Sequence, residues 1–170
     1  MLEITCLSAV DATSVEQLSD VLLDCVAGGA SVGFMQPLSR TQADAFWCKV
    51  AAGVAAKERA LLVVRDAVGI VGTVQLVLDQ PDNQTHRADL CKMLVHRRAR
   101  RQGLGVRLMQ AAEDLARDCG KTLLVLDTAT GSDAERLYAR LGWSRVGVIP
   151  GYAHWPEGGL CGTTLFYKAV

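Results

Sequence analysis

The chain has no excess charge, no membrane-length apolar run, no paired metal-ligand motif and no internal repeat. Eighteen Lys and Arg balance eighteen Asp and Glu over 170 residues, which excludes a broad basic footprint for duplex nucleic acid. No apolar run approaches the roughly 20 residues of a membrane helix, so neither nucleic acid nor a bilayer is an expected partner. Cys6, Cys25, Cys48, Cys91, Cys119 and Cys161 include no CxxC pair. His86, His96 and His154 keep no metal-ligand spacing with them or with one another, and no metal is expected. The opening MLEITCLSAVD carries Glu3 at once and no long apolar stretch, unlike a secretory signal. Reduced, buried thiols and a cytoplasmic location are the expectation.

What is present suits one packed domain spanning 1–170: 50% of the residues are hydrophobic and 21% charged. EITCL alternates and predicts a short first strand. TSVEQLSDVLLDCVAGG repeats apolar residues at helical spacing, with Ser14 as a cap and Gly28-Gly29 as a stop. ASVGFMQPLS is a loop, and a second helix begins at a Thr41 cap. ALLVVRD and GIVGTVQLVLD predict an antiparallel hairpin turning around Ala67 to Gly69. PDNQTH is a turn, RADLCKMLV the fourth strand, and a third helix runs from about Gly103 to Asp118. KTLLVLDT reads as a strand buried on both faces. GSDAERLYARLG is a fourth helix, and WSRVGVIPGYA and TTLFYKAV are the last strands. The order predicts an α/β domain with a mixed sheet.

The local exception to charge balance is LVHRRARRQGLG, with four arginines in the five positions from Arg97 to Arg101. A strand entering a glycine turn and then a helix makes an anion site. The first helical N–H groups lack internal partners, and the helix dipole adds positive charge. Gly103 and Gly105 let backbone amides approach a phosphate, and Arg100 and Arg101 add charge. Two common phosphate motifs fail here. No Gly-Lys-Ser/Thr ends a P-loop, and GLGVRL has Leu108 where a dinucleotide fingerprint needs glycine. RRQGLG does match Arg/Gln-x-x-Gly-x-Gly/Ala, and AERLYARLGW follows from Ala134 to Trp143.

On these two motifs, in this order and on these elements, the chain resembles the GNAT superfamily of N-acetyltransferases. GGASVGFM, LCKMLVHRRARRQGLG, LLVLDTATGSDAERLY and RVGVIPGY are similar in particular to its tabtoxin-resistance branch, whose acceptor is a β-lactam amino acid toxin. The resemblance implies a largely antiparallel sheet splayed between strands four and five, with about four helices, and acetyl-CoA as acetyl donor. It implies that Met93, Leu94 and Val95 hold the pantetheine arm by their main chain. Arg100, Arg101, Gln102, Gly103, Leu104, Gly105 and Val106 would hold the diphosphate. Two departures stand out: Arg97 replaces a frequent proline, and Gly131 replaces a frequent asparagine, leaving Ser132 or backbone groups to contact the donor.

Acetyl transfer to an amine needs a deprotonated amine, stabilisation of the carbonyl oxygen and a proton for the thiolate. Tyr138, protonated at neutral pH with an ordinary pKa of about 10, is the candidate acid. A main-chain N–H, foremost that of Val95, would polarise the carbonyl. Asp127 at the end of LLVLD is the first candidate base, Asp89 the second, and a water chain the third. Ser31, Phe34, Tyr152 and His154 are candidate walls of the acceptor pocket. The expected activity is acetyl transfer to the primary amine of a small molecule or amino acid, possibly a β-lactam toxin or antibiotic, by a monomer or homodimer. The alternatives are a protein N-terminus or lysine as acceptor, a non-catalytic acyl-CoA sensor, or RNA binding through RRARR.

Overall fold

The computed structural model describes residues 2–170. The elements run β1 Glu3–Cys6, α1 Ala12–Ala27, α2 Arg40–Ala55, β2 Arg59–Arg65, β3 Ile70–Val77, β4 Arg87–Val95, α3 Leu104–Asp118, β5 Leu123–Ala129, α4 Asp133–Arg140, β6 Ser144–His154 and β7 Leu160–Ala169. Two helix starts lie earlier than their sequence patterns imply. Asp11, not Ser14, caps α1: its carboxylate accepts the Ser14 N–H at 2.8 Å. Ser39, not Thr41, caps α2, in a reciprocal box with Gln42. A carboxylate or hydroxyl three residues before a free N–H captures it, and that geometry decides between neighbouring candidates.

Among the described residues the strands form one sheet in the order β1-β2-β3-β4-β5-β7-β6. Every neighbouring pair is antiparallel except β4 and β5. This is the mixed, largely antiparallel sheet with four helices that the resemblance implied. Two cores flank it. On one face Leu62, Val74, Leu90, Leu124 and Phe166 pack under α3 and α4, and on the other Leu61, Val63 and Leu94 pack under α1 and α2. Each such buried aliphatic side chain contributes about 1.5–3 kcal/mol.

β4 switches faces along its length. Leu90 belongs to the α3 side and Leu94 to the α1–α2 side, although residues four apart in an uninterrupted strand share a face. The cause is a bulge. Thr73 pairs with Leu94 and Gln75 with Cys91, leaving one residue of β3, Val74, against two of β4, Lys92 and Met93. Lys92 within it takes a left-handed φ of 52°. A bulge bends its strand and increases the local twist. The parallel ladder to β5 covers only Arg87–Leu123, Ala88–Leu124 and Asp89–Val125 before the strands separate.

β5 is not buried on both faces. Leu124 and Leu126 are buried, whereas Leu123 and Val125 are half-buried and Asp127 is exposed. The apolar run does not show that no helix crosses the opposite face. The buried Glu113 carboxylate on α3 anchors this half of the sheet. It accepts from Lys168 Nζ on β7 at 2.8 Å and from Trp143 Nε1 at 3.1 Å. Lys168 also donates to the Leu141 carbonyl at 2.9 Å, just past α4. The cysteines are all free, but Cys6, Cys48 and Cys119 are exposed rather than buried. Among the described residues no helix is long and apolar enough to cross a membrane.

Candidate active site

Where β4 and β5 part, a groove of about 880 Å³ crosses the sheet. From Leu90 onward the main chain of β4 has no β5 partner. Unpaired backbone N–H and C=O groups along this edge need an external partner. Met93, Leu94 and Val95 line that wall. Val95 is partly engaged: its carbonyl accepts from Arg100 Nε at 3.1 Å and from the Cys25 thiol at 3.6 Å. Val95 also keeps its pairing with Gly72 of β3.

The turn into α3 divides its arginines by role. Arg97 donates its main-chain N–H to Asp24 Oδ2 at 2.8 Å, and its guanidinium pairs with the same carboxylate. That ion pair ties the turn to the end of α1, where a proline would have stiffened it covalently. Arg98 pairs with Asp66 at 3.2 Å. Among the described residues no carboxylate pairs with Arg100 or Arg101, and both line the groove. Gly103 opens α3 at φ 72° with no side-chain cap, whereas Asp11, Ser39 and Ser132 cap the other three helices. Leu104, Gly105 and Val106, the first residues of this uncapped helix, line the groove. A Cβ at Gly105 would lie 3.0 Å from Leu137 Cδ2, so a larger residue would press into the gap between α3 and α4. Gln102 is exposed and does not line the groove.

On the opposite bank Gly131 sits at φ 81°, a left-handed position that glycine and asparagine both accept. Its N–H donates to Glu135 at 2.5 Å. The Ser132 hydroxyl is already used, accepting the Glu135 N–H at 3.1 Å as the cap of α4. Ser132 still lines the groove.

Tyr138 and Asp127 reach the groove from opposite faces of the sheet. Tyr138 packs beside Trp143 and Phe166, with ring centroids 6.1 and 6.0 Å away, and lines the groove. Burial pushes its phenol well above the ordinary value, and the charges of Asp127 and Cys91 push the same way. Asp127 alternates with the buried Leu126, so it faces the α1–α2 side, where it accepts from Thr163 Oγ1 at 3.0 Å. Asp89 is placed differently. It lies outside the groove lining, bound by Arg87 Nη1 at 2.5 Å and Gln80 Nε2 at 3.0 Å.

The four acceptor-wall candidates split evenly. Ser31 lines the groove, its hydroxyl donating to the His154 carbonyl at 3.3 Å, and Tyr152 lines it while 58% exposed. Phe34 turns away to stack edge-on against Phe46 at 5.3 Å. His154 contributes its carbonyl to Ser31, and its side chain does not line the groove. Trp155, in the GYAHW stretch between the last two strands, lines the groove, as do Lys92, Cys91, Cys161 and Thr163, which were not among the candidates. Lys92 is one of three charges on β4, with Arg87 and Asp89, and only it lines the groove. Burial raises the thiol pKa of Cys25 and of Cys91, so neither is a thiolate at neutral pH.

A sequence profile of the acetyltransferase (GNAT) family matches residues 29–143, and the chain belongs to that family. It is 35% identical over 115 residues to an uncharacterized N-acetyltransferase of the hisH-hisA intergenic region of Azospirillum brasilense, 66% of this chain and 67% of that one. The same fold recurs in an N-acetyltransferase from Staphylococcus aureus Mu50, with TM-score 0.81, 13% identity and 99% and 98% of the two chains covered. It recurs in a Salmonella typhimurium protein solved with its cofactor acetyl-CoA, with TM-score 0.79, 18% identity and 99% and 93% covered.

Proposed function

We propose that this chain transfers acetyl from acetyl-CoA to the primary amine of a small molecule, with a β-lactam amino acid toxin or antibiotic as the sharpest version. The observation that carries the reading is the groove itself. At its α3 end it has uncapped helical amides and two arginines without carboxylate partners. At its centre it has a tyrosine reaching in from one face of the sheet and an aspartate from the other. The Salmonella neighbour bound to acetyl-CoA supports the choice of donor.

Acetyl-CoA supplies an acyl thioester whose carbonyl carbon accepts the amine and whose thiol departs. Leu104, Gly105 and Val106 hold the diphosphate by main-chain N–H groups, with Arg100 and Arg101 screening its charge. The open edge of β4 orients the pantetheine arm, and the Val95 N–H polarises the thioester carbonyl. Asp127, steadied by Thr163, takes the amine proton directly or through water. The N–C bond forms, the C–S bond breaks, and Tyr138 donates to the departing sulfur, giving an amide and free thiol. The raised phenol pKa keeps that proton in place until a base develops beside it. The same apolar surroundings raise the thiolate's own proton affinity. Protonated Cys25 and Cys91 argue for direct attack by the amine over an acyl-cysteine route.

The test is thiol release by purified protein with acetyl-CoA and a panel of amines that includes β-lactam amino acids. Transfer to small amines is expected. Binding of the donor with no amine releasing thiol would leave a non-catalytic sensor as the better description.

A further inference from the structure

The bulge of β4 carries a cation that none of these steps uses. Lys92 is half-buried in the groove wall at φ 52°, a conformation that a non-glycine residue keeps only where its surroundings impose it. Its Nζ stands 5.6 Å from the centre of the Phe46 ring on α2. A Cβ at Gly33 would lie 3.7 Å from the same nitrogen. The ammonium therefore reaches from the sheet to the loop between α1 and α2. Among the described residues no carboxylate pairs with it. A half-buried ammonium beside an aromatic ring, with no carboxylate partner and facing an open groove, is a site for an anion.

The position of the cation gives it meaning. Phe46 places Lys92 on the α1–α2 side of the sheet, and the alternation of β5 places Asp127 on that side too. They stand on opposite banks of the groove, positive on β4 and negative on β5. The Cys91 thiol, raised mainly by burial, feels both the lysine and the aspartate. The diphosphate cradle lies on the other face, under α3. An acceptor entering from the α1–α2 side thus meets two opposite charges before it meets the donor.

We infer that Lys92 binds a carboxylate of the acceptor, so that the acceptor is an amino acid whose amine is directed at Asp127 and whose carboxylate is directed at Lys92. This rests on the acetyl-transfer reading of the groove and specifies its substrate class. The reversed orientation sets like charges together at both ends, so the pair also selects which way round the substrate lies.

The test uses the full chain, acetyl-CoA and matched acceptors: free L-amino acids and β-lactam amino acids, each beside its carboxamide. The wild type should favour the free acid in kcat/KM by about tenfold or more, the range of one charge-assisted hydrogen bond. Lys92→Met should remove that preference through KM, and Lys92→Arg should restore part of it. Calorimetry with coenzyme A should give the same affinity in Lys92→Met as in the wild type. A wild type indifferent to the carboxylate, equal losses for acid and amide, or weakened coenzyme A binding in Lys92→Met would each overturn the inference. If no amine releases thiol, the transfer reading fails separately, and thermal shifts of the coenzyme A-loaded protein with the same pairs decide this one. Stabilisation by acid over amide that disappears in Lys92→Met sustains it, and no acid-over-amide shift overturns it.

Discussion

The two halves of the sheet are built differently. β2 and β3 are buried along nearly their whole length, with α1 and α2 on one face and α3 on the other. β5 and β7 pack against helices on one face only, and the edge strand β6 is exposed along nearly its whole length. Asp127 is exposed on β5, and Val146, Val148 and Ile149 are exposed along β6. The first half is a scaffold and the second a half-open wall, and the groove opens at their junction. Its cause is local: one extra residue in β4 turns the strand away after three paired positions. The seam holds unpaired main chain of β4 between two paired strands, beside open space.

The largest expected effect comes from filling the seam at its α3 end. Gly103→Val with Gly105→Val forces a β-branched residue to φ 72° and a side chain against Leu137. Two lost charge-assisted hydrogen bonds, each about 1.5–3 kcal/mol, weaken coenzyme A binding by about 100-fold or more, as calorimetry would read. Unchanged uptake would remove the basis for treating this turn as the cradle.

Next come the two faces. Tyr138→Phe should lower kcat by about 100-fold, within the span of general acid catalysis, while donor affinity stays as it was. Asp127→Asn should lower kcat by about tenfold or more, and Asp89→Asn should leave the rate within about twofold because Asp89 is tied to Arg87 and Gln80 outside the groove. An undiminished rate in Asp127→Asn would shift the proton to a water chain. A slowed Asp89→Asn enzyme would contradict the placement of Asp89 outside the groove.

The arginine turn offers a milder contrast. Arg100→Ala with Arg101→Ala should weaken coenzyme A binding by about tenfold, and more at low salt. Arg97→Ala with Arg98→Ala should lower the melting temperature and change that affinity by less than about twofold, since both pair within the fold. Equal losses of affinity in both double variants would erase the distinction. The smallest effect concerns alkaline stability. The folded state raises the Tyr138 pKa, so it binds the proton more tightly than the unfolded chain. The resulting stability is complete below the unfolded value of about 10 and is lost as pH climbs through the folded one. Urea unfolding should therefore weaken less steeply above about pH 10 in Tyr138→Phe than in the wild type.

Much of the fold was legible. RADLCKMLV is β4 residue for residue, and Gly103 does stand at the start of α3. The periodicities that mark such elements are set by neighbours in sequence. The errors arose where distant residues intervene. LLVLD reads as doubly buried because its side chains are apolar, yet the helix needed to cover its second face is absent there. Phe34 and His154 carry suitable chemistry, but Phe46 claims one ring and Ser31 meets only the other's main chain. Arg97 and Arg98 look identical to Arg100 and Arg101 until Asp24 and Asp66 are folded against them. Lys92 was passed over because nothing local reveals a bulge: it is a mismatch of register between two strands.

By itself the sequence determined the element order, the glycine-arginine turn, the tyrosine helix and, through those motifs, the family. These depend on spacing along the chain, which a string of residues records completely. Tertiary structure alone decided which arginines pair with a carboxylate, which aspartate borders the groove and which face Lys92 occupies. Those are questions of pairing and cover between segments far apart in the chain, and a charge takes its role from whichever partner the fold brings to it.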